Sequence, residues 1–292
     1  MNFKRNSVIF VALLTVGCGA NSTGINAALS NKQTNTLQAY SDGNGNARTF
    51  SFNYKRAEKQ EATRTFKSLP LRAALPASVD LRATCSEVGD QGKLGSCTAW
   101  AMGRGLREYM ENKTAKKSFV QVSPLYLYYK EREIEGSINE DAGATITDGM
   151  TVLHDNGICP EADMPYDIAK FAVAPSATAE KDAALLKVNE TIAIRGIDQV
   201  KNQLASGNTV AFGFRVFKSF MDKNGVAATG IMPMPKPGEQ LLGGHAVLAV
   251  GYDDAKKVLI VRNSWSAGWG DKGYFYMPYE NMKYSMDFWT AK

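Results

Sequence analysis

Four cysteines and two histidines are the chain's strongest nucleophiles and proton carriers, and one cysteine stands apart by its surroundings. Cys97 lies in Asp90-Gln91-Gly92-Lys93-Leu94-Gly95-Ser96-Cys97-Thr98-Ala99-Trp100-Ala101, a glycine-broken loop that runs into a helical pattern. The first N–H groups of a helix lack partners within it and carry partial positive charge, so a thiol placed there ionises more readily. Ser96 is a candidate N-cap. Ala99, Met102, Leu106 and Tyr109 recur at steps of three and four, which predicts a helix with one buried stripe and Cys97 at its exposed tip. A free cysteine is more often a small core residue. What favours chemistry here is what the rest of the chain supplies.

The search for a base is short. His154, beside Asp155 inside a helical pattern, reads as an exposed or locally satisfied residue. His245 sits in Leu242-Gly243-Gly244-His245-Ala246-Val247, at the mouth of a strand and behind two glycines that allow close approach of other backbone. The next turn is Asp253-Asp254-Ala255-Lys256, and pairing Tyr252 with Lys257 sets Ala246 opposite Arg262 or Asn263. His245 and Asn263 then share one end of a hairpin with strands about 4.8 Å apart, and a one-residue bulge decides whether they share a face. An asparagine carbonyl there accepts from one ring nitrogen of His245 and aims the other at Cys97. Gln91, behind the turns at Gly92 and Gly95, can donate its amide to the carbonyl under attack, forming an oxyanion hole with the Cys97 N–H. With two histidines and no clustered Cys/His/Asp set, neither a metal nor another cofactor is expected.

The elements that must position these residues divide along the chain. Ser123-Pro124 is a helix start, followed by Leu125, Tyr126, Leu127, Tyr128 and Tyr129 as core. A second helix is expected over Asp148 to Asn156, capped by Asp148 and stopped by Gly157, and Ile197, Val200 and Leu204 mark a third that ends at Gly207. The period then becomes two at Val210, Phe212, Phe214 and Val216, with apolar runs at Ala246 to Val250, Val258 to Val261 and Tyr274 to Met277. Helices first and strands second argue an α+β fold, as two lobes with a cleft between them.

The N-terminus has another character. Residues 1–20 carry Lys4 and Arg5, an apolar run from Val8 to Val16, and the small residues Gly17-Cys18-Gly19-Ala20, which together read as a secretory signal peptide. The run is short of the about 20 residues a spanning helix needs. Two processing routes stay open: lipidation at Cys18 after Thr15-Val16-Gly17, or ordinary cleavage after Cys18-Gly19-Ala20. Either exports the protein, as a secreted, periplasmic or surface-tethered species whose one membrane contact would be a lipid on Cys18. Residues 21–75 are polar except for alternating Phe50, Phe52 and Tyr54, a strand that could lie along the main body, so they read as a removable pro-segment or a tether. Residues 76–292 form the main domain, expected to be a monomer. The net charge of +5 is local: residues 1–75 hold ten Lys/Arg and three Asp/Glu, leaving 24 basic against 26 acidic side chains beyond, so nucleic acid is excluded as a partner of the body. Once Cys18 and Cys97 are set aside, Cys85 and Cys159 remain. An even pair in an exported protein predicts a disulfide, closing a loop of about 75 residues and worth roughly 4 kcal/mol.

Three separated stretches, Asp90-Gln91-Gly92 through Ser96-Cys97, Gly243-Gly244-His245-Ala246-Val247, and Asn263-Ser264-Trp265 through Gly268-Trp269-Gly270 with Gly273-Tyr274, together resemble the papain family of cysteine peptidases. The likeness runs from about Leu75 to the C-terminus. The order is Cys, His, Asn, at 245 − 97 = 148 and 263 − 97 = 166 residues after the cysteine, against about 130–150 in the family pattern. The resemblance implies a helical lobe and a β-barrel lobe meeting at a catalytic cleft. It implies Cys97 as nucleophile, His245 as ion-pair partner and general acid/base, Asn263 as its orienter and Gln91 as oxyanion donor. Trp265 would shield the His–Asn hydrogen bond, Trp269 would line the leaving-group side, and Gly143, Ala144, Gly243 and Gly244 would line the substrate cleft. The ion pair would hold the Cys97 pKa at about 3.5–7.5. The substrate would be a peptide or protein, hydrolysed through a thioester acyl-enzyme. Acyl or peptidyl transfer to an amine uses the same residues, and a silent peptide-binding homologue would have no chemical need for all four. The chain departs from the usual family pattern at Leu94, where a cysteine is common, at Thr98, where tryptophan is, and at Ser266, where glycine is. These changes, with Gly157-Ile158-Cys159-Pro160-Glu161, resemble a bacterial, secreted branch.

Overall fold

Small residues decide how the Cys97 helix is built. In the computed structural model, which describes residues 38–41, 47–57, 74–115 and 120–292, this helix opens with α geometry at Cys97–Ala99, widens to a π-helix over Trp100–Arg107 and returns to α over Glu108–Ala115. Gly103 and Gly105 lie in the wide part, where added Cβ atoms would come within 2.9 Å of Ile158 and 3.1 Å of Leu248. The expected stripe of Ala99, Met102, Leu106 and Tyr109 is buried. Ser96 occupies the N-cap but makes no side-chain cap: its carbonyl accepts the Trp100 N–H at 3.1 Å, and its hydroxyl pairs with the Tyr166 phenol at 2.6 Å.

Two helices pack beside it. Pro124–Glu135 starts as expected, with the Ser123 hydroxyl accepting the Tyr126 N–H at 3.1 Å, and ends at Gly136 in the left-handed conformation. The next runs Ile146–Asp155, two residues earlier than the sequence suggested, because Thr145 is its cap and Asp148 lies inside it. The Thr145 hydroxyl accepts the Asp148 N–H at 3.0 Å and donates to the Asp148 carboxylate at 2.6 Å. Leu125, Leu127, Met150, Val152 and Leu153 share one core with the Cys97 helix.

The second core lies against a seven-stranded antiparallel sheet. Its strands are β3 (Ser78–Asp80), β4 (Thr191–Ile194), β5 (Val210–Phe217), β6 (Leu241–Asp253), β7 (Val258–Arg262), β8 (Tyr274–Pro278) and β9 (Ser285–Ala291). They lie in the order β4-β9-β5-β6-β7-β8, with β3 pairing on β6. Phe212, Phe214, Val247, Leu259, Val261 and Phe275 fill this core, covered by Val200 and Leu204 of the Gly196–Ala205 helix. The barrel that the resemblance implied does not close. β4 and β8 remain the edges of an open sheet, four and five residues long, and the outer side of β8 is taken by one parallel bridge from Ile231 to Tyr276. Together the helices and the sheet make an α+β, two-lobe architecture. Ahead of them, β1 (Gln38–Ser41) and β2 (Ala47–Phe50) form a small antiparallel hairpin. Among the described residues no helix is long and apolar enough to cross a membrane. The expected signal peptide at 1–20 and Cys18 lie outside the described residues.

The hairpin between β6 and β7 differs in register from the expected pairing. Asp253 pairs with Val258 and Tyr252 with Leu259, so the four-residue turn lies one position further along, at residues 254–257, with Lys257 at a positive φ of 55°. A one-residue bulge between Ala249 and Gly251 then sets Leu248 opposite Arg262. That bulge carries His245 and Asn263 onto a common face at the end of the hairpin.

Candidate active site

Cys97, His245, Asn263 and Gln91 are brought together by the Cys97 helix, β6, the end of β7 and the loop before the helix. Nε2 of His245 lies 2.8 Å from Oδ1 of Asn263. That oxygen also accepts the Ser264 N–H at 2.9 Å, so it is an acceptor twice over and Nε2 must be the donor. Nδ1 is therefore the basic nitrogen of the neutral ring, and among the described residues it has no hydrogen-bond partner. Trp265 stacks on the imidazole at 4.7 Å and 25°. The Cys97 sulfur receives backbone hydrogen bonds from Ala246, the residue after His245, and from Thr98. Gln91 is fully buried: its amide donates to the Leu94 carbonyl at 3.0 Å and its oxygen accepts the Ser264 hydroxyl at 2.6 Å. The Gln91 backbone N–H donates to the Ser264 carbonyl at 2.9 Å, which stitches this loop to the Asn263 loop.

The other sequence candidates fall in two places. Trp269 lies behind Trp265, edge-on at 5.1 Å, and packs against Phe220 and Phe275 in the sheet core. Gly143, Ala144, Gly243 and Gly244 line a groove beside Cys97, and the groove is filled. Residues 51–57 run through it: the Tyr54 N–H donates to the Gly244 carbonyl at 3.2 Å, the Gly244 N–H to the Phe52 carbonyl at 3.4 Å, and the Lys55 N–H to the Ala144 carbonyl at 3.0 Å. The glycines make this possible. A Cβ on Gly143 would fall 1.8 Å from the Asn53 carbonyl oxygen, and one on Gly243 2.6 Å from the Phe52 Cβ. Phe50 packs on Trp265 at 4.2 Å, Arg48 pairs with Asp90 and donates to the Trp265 carbonyl, and Lys55 pairs with Glu135. His154 is far simpler, half exposed and paired with Asp155.

Burial sets the electrostatics of Cys97 and His245. Burial pushes the Cys97 thiol up to about 12, opposed first by the backbone bond from Ala246 and then by that from Thr98, while the nearby Glu131 carboxyl adds to the rise. Burial also pushes His245 down to about 4, opposed by Asn263. The low thiol pKa expected from the ion pair does not hold in the covered cleft, because no water reaches either group to stabilise a charge. Glu131 itself is fully buried: burial raises its carboxyl well above the usual carboxylate range, opposed by the Thr98 hydroxyl it accepts at 2.7 Å.

Sequence reasoning passed over several supports. Asp141 accepts the Gly95 N–H at 2.9 Å and the Tyr128 phenol at 2.5 Å, while Tyr128 in turn accepts the Gly143 N–H at 3.0 Å, so two residues tie the groove wall to the nucleophile loop. Tyr166 joins Ser96 to the Gln91 carbonyl, the latter at 2.9 Å. Nothing local marks these positions, since an aspartate in a loop and a tyrosine in a helix are common as core or turn residues. The expected Cys85–Cys159 disulfide is absent, and Cys85, Cys97 and Cys159 all carry free thiols. Cys85 donates to the Leu81 carbonyl at 3.6 Å and lies near Arg262 and Tyr274, whereas Cys159 lies by Ser123 and Asp163, so each sulfur has its own surroundings.

Comparison with known proteins follows the same lines. The family model described as papain family cysteine protease matches residues 75–287. An uncharacterized peptidase C1-like protein of Acanthamoeba polyphaga mimivirus is 41% identical over 228 residues, 73% of this chain and 72% of that protein. The thiol protease aleurain of Arabidopsis thaliana is 30% identical over 216 residues, 70% of this chain but 56% of its own length. Among solved structures, xylellain, a cysteine protease from Xylella fastidiosa, is similar with a TM-score of 0.74 at 36% identity, covering 89% of this chain and 99% of that one.

Proposed function

The chain belongs to the papain family of cysteine proteases, and from that premise we propose that Cys97, His245, Asn263 and Gln91 hydrolyse peptide bonds in a cleft that residues 47–57 cover until removed. The observation that carries this reading is the tautomer of His245. Asn263 and Ser264 together oblige Nε2 to hold the proton, which leaves Nδ1 as the base beside the strand that contacts the Cys97 sulfur.

Once the cover leaves, water and substrate enter and the desolvation that opposes charge on both groups falls. Nδ1 takes the thiol proton, and the thiolate attacks the substrate carbonyl carbon. The oxyanion is received by the Cys97 N–H and by the amide hydrogen of Gln91 not committed to Leu94. The imidazolium then gives its proton to the leaving amine, forming a thioester. Water, deprotonated by Nδ1, attacks the thioester and restores the thiol. Trp265, lying on the imidazole, keeps solvent off the Nε2–Oδ1 bond, and Trp269 backs it. An amine in place of that water would give acyl transfer with the same residues.

The wider reading assigns residues 1–20 to export, 21–75 to a pro-segment and 76–292 to the peptidase, acting as a secreted, periplasmic or Cys18-tethered bacterial monomer on peptide or protein substrates. Two strap cations seated on body carboxylates, Arg48 on Asp90 and Lys55 on Glu135, support the pro-segment role. The test is mass-spectrometric product analysis of peptides incubated with the wild type and with Cys97→Ala, with and without an added amine. Hydrolysis products that vanish in Cys97→Ala support the reading, wild-type turnover by that variant refutes it, and amine adducts as the main product favour transfer. Equal activity of proteins starting at Asn21 and at Ala77 would refute the pro-segment.

A further inference from the structure

The far half of the Cys97 helix walls a cavity of about 260 Å³ that shares no lining residue with the groove beside Cys97. Leu106, Met110 and Lys113 line it from the helix, Thr209 from the turn before β5, and Ala291 from β9. An engineered apolar cavity of about 150 Å³ admits benzene, so there is room here for a ring bearing a short substituent. Two polar groups in this cavity have bonding capacity left over. Thr209 is 2% exposed, and its hydroxyl has no hydrogen-bond partner among the described residues. The Thr209 carbonyl accepts the Thr290 hydroxyl at 2.9 Å, so the unmet bond belongs to the side chain. A buried hydroxyl in that state opposes folding, and a partner from outside the fold would account for it. The Lys113 ammonium donates to the Gly207 carbonyl at 2.7 Å and to Oδ1 of Asn208 at 3.2 Å, leaving one N–H uncommitted. Both acceptors are neutral, and among the described residues no carboxylate pairs with this charge. Because Gly207 and Asn208 directly precede Thr209, the open ammonium hydrogen and the open hydroxyl share one end of the cavity.

We propose that this cavity binds a small aromatic or branched aliphatic carboxylate. The body of the ligand packs on Leu106, Met110 and Ala291, and its carboxylate accepts from the Thr209 hydroxyl and the Lys113 ammonium, the latter bond being charge-assisted. A hydrocarbon of the same size would fill the space and leave both donors open, and an amine would bring like charge to Lys113. A carboxylate without a body, such as acetate, would leave the apolar walls in water. None of these residues belongs to the catalytic set, so the inference stands or falls apart from the peptidase reading.

The probe is phenylacetate, titrated into full-length protein carrying Cys97→Ala and followed by the Met110 methyl resonance. Saturable binding is expected, at least about tenfold tighter than for acetate or phenethylamine. Thr209→Val should weaken phenylacetate binding about tenfold and leave the urea midpoint of the empty protein unchanged or higher, since the hydroxyl has no partner to lose. Lys113→Met should weaken binding by a similar factor. No saturable shift with phenylacetate, equal affinity for phenethylamine, or full affinity in either variant would overturn the proposal. So would a lower urea midpoint in Thr209→Val, because it would reveal a partner inside the fold.

Discussion

Cys97 and His245 are both fully buried, and burial is the main cause that favours the neutral form of each. At neutral pH the covered thiol is almost wholly protonated, so alkylation of Cys97 by iodoacetamide should be slow in the full chain. Arg48→Ala removes the ion pair to Asp90 and the bond to the Trp265 carbonyl, and should speed that alkylation by about tenfold or more as thiolate becomes accessible. Mass spectrometry of the modified residue over time reads the rate, and an unchanged rate would show that the strap does not govern access. His245 adds a pH dependence with a definite sign. Its folded pKa lies below the ordinary 6.5, so the unfolded chain binds a proton that the fold refuses. That stability is fully present above about 6.5 and is lost as pH falls toward about 4. His245→Gln should flatten the decline of the urea midpoint between pH 7 and 5, and a decline as steep as wild type would contradict the assignment. With Gln91 as the proposed oxyanion donor, Gln91→Ala should lower kcat by about 10²–10³ with KM little changed, read from initial rates on one peptide.

Helices and strands were largely legible because their signals are local. Ser123-Pro124 announces a helix, and the alternation from Val210 to Val216 announces β5. Positions one turn apart compete on nearly equal terms, as Thr145 and Asp148 do: both are good caps, and tertiary packing chooses Thr145. Thr145→Ala should cost about 1 kcal/mol, measured as a lower urea midpoint, and Asp148 does not take its place because it already lies inside the helix. The hairpin register was half legible. The turn keeps its expected length but moves one residue on to take in Lys257, and the extra residue at Val250 takes back half of the resulting register change, a trade that no pattern in either strand records. The Cys85–Cys159 pair failed for a related reason, since cysteine counting carries no distance. The open sheet likewise depends on which segments reach β8, and that is a property of the whole chain.

At the scale of the molecule, the candidate catalytic set could be named from the sequence because chemistry limits which residue types can serve and only two histidines were on offer. The cover was legible only as alternating Phe50, Phe52 and Tyr54. Which groove they enter depends on absent side chains at Gly143, Gly213, Gly243 and Gly244, and absences leave little trace in a sequence. Replacing both Arg48 and Lys55 with alanine should loosen this cover and raise peptide hydrolysis by the full chain, measured as initial rate per mole of enzyme. A rate equal to wild type would remove the electrostatic part of the argument. The cover also belongs to the same polypeptide as the cleft it fills. A tethered occupant acts at a fixed effective molarity, whatever the protein concentration. A single cut between residues 57 and 74 turns that occupant into an ordinary diffusible peptide. From then on the uncovered fraction grows with dilution, so the same cut enzyme would be more restrained in a crowded compartment and freest once it has spread into a large volume.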